Sequence, residues 1–529
     1  MTGHITLPNL ITKIQDYYRL TPVQIENVTR LKKISDHFNK RMGLPSDPSE
    51  KITSDTVILE SGHQPNFLPH CGTWKKAFLL DRIYRKLQEK GIPAIAFFGL
   101  ADQNQSTARL LSRNSIPDFN KKGSLVIGFR IKEPDKYTGF ASQKKPDRDQ
   151  WEKEMSQIKT HYQDMLTRAD PVDRRIQPQL ETLMEIIEDC YEKAETFADL
   201  NSRIFTRISH DILELKLSFF SYYDLQRENL FLEESRRLLD NFQDYSRIYN
   251  NTVVQEKLDI PVIEPTELPL WYHCTCGRKL SPLLKESMTA EAVCPTCNCH
   301  HRLSFEKGFH DLKNYYANMD FRAVSREIII SEAIGNSLYI SGSGGSLIYG
   351  RISRQIADAL AFHRPLTAYW RSDDNYLGLA HVIVLKEMMK LFSLKIDDVE
   401  NSNLAEKTKN VIKSVELDLE TAAADVPDKK TREIFNLKRR LNSLTMVLNS
   451  ANQIFSSPPS AFDVIVSTKP ETITGLWDSA LNTADILYEG DQFSLDVNID
   501  YPPFLLPEIA QQTVPVIYHS LKKLGVAEN

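Results

Sequence analysis

The sequence predicts an α/β fold: a parallel sheet core interrupted by helical insertions. Three observations carry this expectation. First, the apolar run Thr56–Glu60 leads through a polar loop into a helical stretch from Trp74 to Lys90. Gly91 ends that stretch, and a second apolar run, Ile92–Phe98, follows. Strand, loop, helix and buried strand in that order form a βαβ unit, the building block of parallel sheets. Second, strand-like runs return at Glu327–Ile330 and Ser337–Ile340 and again before Tyr369–Asp374. Third, long amphipathic helices separate these regions.

Taken in order, residues 1–50 read as a helical lead-in broken by Pro and Asn, and 51–150 as the first half of the sheet core. Residues 151–260 are helical and charged. There Ile176, Leu180, Leu183, Ile187 and Cys190 recur at the spacing of one helix face, which makes Cys190 a packed thiol. Residues 268–305 form a cysteine-rich insert, and 306–400 the second half of the core. Residues 401–457 form a long helical arm with a seam of Ile434, Leu437, Leu441, Leu444 and Leu448, ending at Pro458-Pro459. Two heptads suit packing on the body as well as a coiled-coil homodimer. Residues 458–529 return to α/β character, with short apolar runs such as Phe462–Val466.

Composition narrows the function. The 529 residues carry 65 Lys+Arg against 70 Asp+Glu, a net charge of −5, with 41% hydrophobic and 26% charged residues. A chain of this make-up is globular rather than disordered, and it exerts no global attraction for nucleic acid or membrane surfaces. No run of 18 apolar residues occurs, so no membrane association is expected. The first residues lack a basic start followed by an apolar stretch, so a cytoplasmic location is expected. Five of the seven Cys crowd into positions 274–299, which is metal-site usage in a reducing compartment.

That cluster reads Cys274-Thr-Cys276-Gly277 and Cys294-Pro-Thr-Cys297, with seventeen residues between the pairs. Two close pairs at this separation suit a tetrahedral Zn²⁺ held by two knuckles, with Gly277 permitting the tight backbone of the first. The expected ligands are Cys274, Cys276, Cys294 and Cys297, with Cys299 as substitute. Four protein ligands leave no open position, so the zinc ribbon is expected to be structural.

Three stretches gather unusual polar residues. Gly62-His63-Gln64-Pro65-Asn66 leads to His70-Cys71-Gly72, with Lys75 and Lys76 one turn into the next helix. The imidazoles of His63 and His70 can donate to an anion or act as acid or base, and the helix start offers N–H groups. Each His also suits a strand-turn cap or a surface position. Asp102-Gln103-Asn104-Gln105 follows the second strand, where a ligand loop or a plain polar turn is expected. Ser341-Gly342-Ser343-Gly344-Gly345-Ser346 lies between a strand and a helix. Three of only 20 Gly fall there, so the backbone can approach a phosphate or carboxylate closely. Arg371 has the fork to clamp a carboxylate or the neighbours to form a surface ion pair.

Together these residues resemble the cysteine-adding enzymes of bacillithiol synthesis, the BshC family. The resemblance runs in order through Gly62-His63-Gln64, Gly72, Lys76-Ala77, Phe97-Phe98, Asp102, Tyr339-Ile-Ser-Gly342-Ser-Gly344-Gly345, Tyr349, Pro365 and Arg371. Where the family has Gly-Gln-Gln, Glu-Asp-His-Asp and Pro-Gly-Glu, this chain has Gly62-His63-Gln64, Asp102-Gln103-Asn104-Gln105 and Gly344-Gly345-Ser346. The resemblance implies a Rossmann-like core related to class I aminoacyl-tRNA synthetases and a dimerising helical arm. It also implies a ligase that joins cysteine or another amino acid to an amine-bearing small molecule, with ATP or ADP as the nucleotide. His63, His70 and Asp102 would then be catalytic. Gly62, Gln64, Asn66, Gly72, Lys76, Asn104, Gly342, Ser343, Gly344, Gly345, Ser346, Tyr349 and Arg371 would bind substrate or nucleotide. A non-catalytic nucleotide- or RNA-binding protein on the same core is the alternative reading, with Lys438-Arg439-Arg440 as one basic stretch.

Overall fold

Alternation of buried side chains along two apolar strands organises the molecule. The computed structural model describes residues 2–45, 51–169, 176–285, 288–342, 345–395, 404–424, 431–457, 459–502 and 514–524. Its main sheet has eight strands: β1 (Thr2–Ile5), β2 (Val57–His63), β3 (Ala94–Leu100), β4 (Ser218–Ser221), β5 (Leu338–Ile340), β6 (Leu366–Arg371), β7 (Ile486–Glu489) and β8 (Gln492–Asp496). In space they lie in the order β1-β7-β8-β6-β5-β2-β3-β4. Only β7 is reversed, pairing antiparallel with both β1 and β8.

Both faces of this sheet are covered. Along β2, Val57 and Leu59 enter one core while Ile58 enters the other; along β3, Ala96 and Phe98 oppose Ile95 and Phe97. Strands buried on both sides need apolar residues at every position, which is why β3 reads as a continuous apolar run. The helix Cys71–Glu89 connects β2 to β3 and packs in the first core; helices Ala323–Ile334 and Gly345–Leu360 pack in the second.

The six contiguous parallel strands, ranked by their appearance along the chain, run 3-2-1-4-5-6 across the sheet. The order reverses between β2 and β5. In open α/β sheets ligands bind outside the carboxyl ends of the strands at such a switch point.

The structure departs from the sequence reading in four places. The lead-in contributes an edge strand, β1, before its helices Leu7–Gln15 and Pro22–Met42. The helical connection 151–260 contains β4, whose Phe219 and Phe220 face opposite cores. The apolar runs Glu327–Ile330 and Phe462–Val466 lie in helices Ala323–Ile334 and Ala461–Ser467, because both faces of these helices are largely buried. A run of four or five apolar residues does not distinguish a strand from a buried helix turn. The seam from Ile176 to Cys190 is buried throughout, as its spacing predicts.

The arm is a pair of helices, Leu404–Ala424 and Thr431–Ser456, packed on each other. The second also packs on helices Leu379–Leu391 and Val514–Leu524, burying Leu444, Val447, Ala451, Ile454 and Phe455. Among the described residues no helix is long and apolar enough to cross a membrane.

Candidate functional site

Two β-hairpins bring the cysteines together. Cys274 and Cys276 occupy the turn between Leu270–His273 and Lys279–Leu280, where Gly277 adopts φ +84° and donates its N–H to the Cys274 carbonyl at 2.8 Å. Cys294 and Cys297 occupy the turn between Thr289–Val293 and His300–Ser304, closed by Asn298 N–H to the Cys294 carbonyl at 2.8 Å. The four Sγ atoms lie within 4.8 Å of one another, with Cys274–Cys297 at 3.4 Å and Cys276–Cys294 at 3.5 Å. A disulfide needs about 2.05 Å, whereas thiolates about 2.3 Å from one tetrahedral ion stand roughly 3.8 Å apart. The donor set therefore fits a single metal ion. Cys299 is outside the cluster and exposed, and His301 Nε2 contacts the Cys274 Sγ at 3.1 Å.

The hairpin carrying Cys274 and Cys276 braces the rim of the main sheet. Gly139 donates its N–H to the Gly277 carbonyl at 3.1 Å, and Arg278 stacks over Tyr137 at 4.2 Å. Residues 138–141 in turn hold the loop after β3: Phe140 N–H donates to the Asn104 carbonyl at 2.7 Å and Ala141 N–H to the Asp102 carbonyl at 3.0 Å.

At the switch point, β2 and β5 pair with Ile340 opposite Ser61, and the Ser61 hydroxyl donates to the Ile340 carbonyl at 2.8 Å. Gly62-His63-Gln64 and Ser341-Gly342 therefore leave the sheet side by side, at the same rim as the loops after β3 and β6. The structure thus brings together the three polar stretches. Ser343 and Gly344 lie outside the described residues; Gly345 opens the helix Gly345–Leu360, with Ser346 in its first turn and Tyr349 half-buried behind it.

Buried ionisable side chains cluster beneath this rim. Lys76 is buried and its ammonium donates to the Gly62 carbonyl. Burial, then the nearby Arg326, pushes its amine down to about 7. Glu60 sits inside β2; burial raises its carboxyl to about 8 against the pull of Arg326. Glu60 accepts from Asn336 Nδ2 at 2.7 Å and from the Tyr222 hydroxyl at 3.4 Å. Glu327, on the adjoining helix, is raised by burial to about 7. Arg326 lies over the Tyr222 ring at 4.9 Å. Tyr222 crosses β2 and β3 where both strands carry Gly: a Cβ on Gly62 would stand 2.9 Å from its hydroxyl, and one on Gly99 2.5 Å from its ring.

The remaining residues named from sequence take distinct places. His63 is half-buried and its Nδ1 meets the Gln64 carbonyl at 2.9 Å, so Nε2 keeps a free lone pair. Burial, then Lys76, lowers His63 to about 3. His70 is exposed, occupies the N-cap position of the helix Cys71–Glu89 without a side-chain capping hydrogen bond, and stands edge-on to His63 with ring centroids 6.5 Å apart. A Cβ on Gly72 would stand 3.1 Å from the His70 ring. Asn66 is buried with its Oδ1 unpartnered. Asp102 is buried and structurally engaged, accepting from the Ser221 hydroxyl at 2.6 Å and Tyr223 N–H at 3.1 Å; burial, then Asp224, raises it to about 7. Asn104 Nδ2 donates to the Ala101 carbonyl at 3.1 Å. Arg371 is exposed at the end of β6, stacked over Tyr369 at 5.0 Å.

Sequence reasoning missed Glu60 and, although it marked Lys75, the tie of Lys75 to Asp374. A carboxyl directly after the apolar run Val57-Ile-Leu59 was the available signal for Glu60. Lys75 is 2% exposed, donates to Asp374 and to the Ser372 hydroxyl at 2.9 Å, and has Trp370 at 5.0 Å. Its partner lies 299 residues away, beyond any local pattern.

No protein-family model matches this chain, and no curated protein matches it significantly.

Proposed function

We propose that the sheet is a Rossmann-like core and that its switch-point crevice is the active site of a BshC-like ligase. In this reading the enzyme joins an amino acid, cysteine among the candidates, to an amine-bearing small molecule by an amide bond. The observation that carries it is the strand order 3-2-1-4-5-6, with the Gly62-His63-Gln64 and Ser341-Gly342 segments adjacent at its reversal. Ligand sites of dinucleotide- and mononucleotide-binding sheets lie there.

The chain's residues divide the work as follows. Gly342 and the start of helix Gly345–Leu360 face the carboxyl rim, where backbone N–H groups hold an anionic group such as the phosphates of ATP. Arg371 clamps a carboxylate. The incoming amine forms the new C–N bond as the activated carboxylate loses its C–O bond to the phosphate. His63 stays neutral at working pH, so its Nε2 accepts a hydrogen bond from the amine and orients it. Lys76, titrating near 7, is the floor group able to take the proton the amine gives up. Acid–base work expected of the histidines thus passes to Lys76.

The four-cysteine site is read as a zinc ribbon. Zinc bound by four thiolates is coordinatively closed and supplies folding energy rather than catalysis.

The test is a mass-spectrometric assay of the full chain with ATP, cysteine and amino-sugar acceptors. A condensation product formed by wild type and lost in His63→Ala/His70→Ala or Lys76→Met supports the reading. Turnover undiminished in both variants removes these groups from the mechanism. Salt-sensitive RNA binding without nucleotide binding favours the non-catalytic alternative.

A further inference from the structure

A concavity of about 460 Å³ opens between the segment that follows β3 and the hairpin Arg113–Pro117/Ser124–Gly128. Arg109, Arg113, Arg130 and Lys136 line it together with Thr107 and Ser112. Its single carboxylate, Glu133, pairs with Lys136. Arg109, Arg113 and Arg130 are exposed, and none has a carboxylate partner among the described residues. Elsewhere in the chain the arginines are regularly matched, as in Arg82–Asp478, Arg203–Asp199 and Arg364–Asp358.

Two of the arginines, Arg109 and Arg113, sit on anchored backbone. Arg113 lies across the strand opposite Gly128, where a Cβ would stand 2.7 Å from the Arg113 Cγ, so a larger residue at 128 would displace it. The segment carrying Arg109 and Arg113 is fastened to the histidine loop: Phe67 N–H donates to the Leu110 carbonyl at 3.1 Å, and Asn201 Nδ2 bridges the Pro65 and Leu111 carbonyls at 2.7 and 2.8 Å.

We infer that this pocket binds a phosphate-bearing small molecule through Arg109, Arg113 and Arg130. Three like charges converging on one hollow repel each other unless an anion joins them, and the planar guanidinium fork matches phosphate oxygens two at a time. The volume lies in the range of small-ligand sites, and a concave pocket admits a compact anion rather than a strand of nucleic acid. The inference stands on this pocket alone, and its failure leaves the crevice reading untouched.

The test is calorimetric titration of the full chain with inorganic pyrophosphate, comparing wild type with Arg109→Gln/Arg113→Gln/Arg130→Gln and with Arg113→Lys. The expected result is saturable binding by wild type, weakened about tenfold or more per arginine removed. Arg113→Lys, which keeps the charge without the fork, should fall between. A parallel titration with ADP identifies the source of the phosphates. Parallel loss of ADP binding in the triple variant means a nucleotide supplies them, and unaltered ADP binding means a free or sugar-borne phosphate. No saturable pyrophosphate binding by wild type, or equal binding by a triple variant with native circular dichroism, overturns the inference. So does a single-stranded oligonucleotide whose binding falls in the variant while pyrophosphate binding does not.

Discussion

Glu60 shows what one residue contributes. A carboxyl in the middle of β2, Val57–His63, is buried beneath the rim and raised to about 8. The folded state therefore holds a proton that the unfolded chain releases near 4.5, and its stabilising effect, full at acid pH, is lost as pH rises through about 8. Glu60→Gln, which mimics the protonated form and keeps an acceptor for Asn336, should match wild type in Tm at pH 5 and exceed it at pH 9. A variant that loses stability equally at both values would contradict this placement. Lys76 works in the opposite sense: its depressed amine favours the fold above about 10.5 and penalises it as pH falls through about 7. At the four-cysteine cluster, read as a metal site, Cys294→Ser should reduce the metal content measured by plasma mass spectrometry from one ion per chain to a small fraction. The thiolate spacing was plain in the sequence, because a metal site needs its ligands in close pairs. The buried ion pair Lys75–Asp374 was not, since only the tertiary fold brings its members together.

Between elements, the interactions are long-range ties. Lys75–Asp374 fastens the helix Cys71–Glu89 to the end of β6, and the Asp374 carboxylate also accepts from Ile499 N–H at 3.0 Å. Removing one partner strands the other as a buried charge. Lys75→Met should therefore cost about 3–5 kcal/mol in denaturant unfolding, and Lys75→Met/Asp374→Leu should recover part of the loss. Gly99→Ala should destabilise by about 1–3 kcal/mol, because the added methyl meets the Tyr222 ring between β3 and the helix that starts there. A Tm equal to wild type would show that Tyr222 is free to move. The hairpin carrying Cys274 and Cys276 reaches the sheet rim through residues 137–141, so chelation should speed hydrogen exchange at 102–106 and 137–141 before it does so in β2 or β3. At this scale the sequence was read well where periodicity ran long, as in the seam Ile176–Cys190, and less well in short pieces. The strands β1 and β4 have four residues each, and tertiary pairing rather than local pattern decides their state.

For the whole molecule, the decisive feature is the order in which the strands assemble. The βαβ unit at 56–98 declares a parallel sheet, and the glycine-rich stretch at 341–346 follows another strand-like run in the sequence, but nothing local says that β5 lies against β2. That adjacency puts the two loops at one switch point and gives the chain its candidate site. The sheet also explains why the site floor is charged: a lysine and two carboxyls lie beneath the rim, where burial moves each toward neutrality at working pH. The most direct measurement is a crystal structure of the full chain soaked with ATP and cysteine. The expected result is ligand density in the crevice between the ends of β2 and β5, touching Gly62–Gln64 and Gly342. Density confined to another surface, with those loops empty and unchanged, would contradict it.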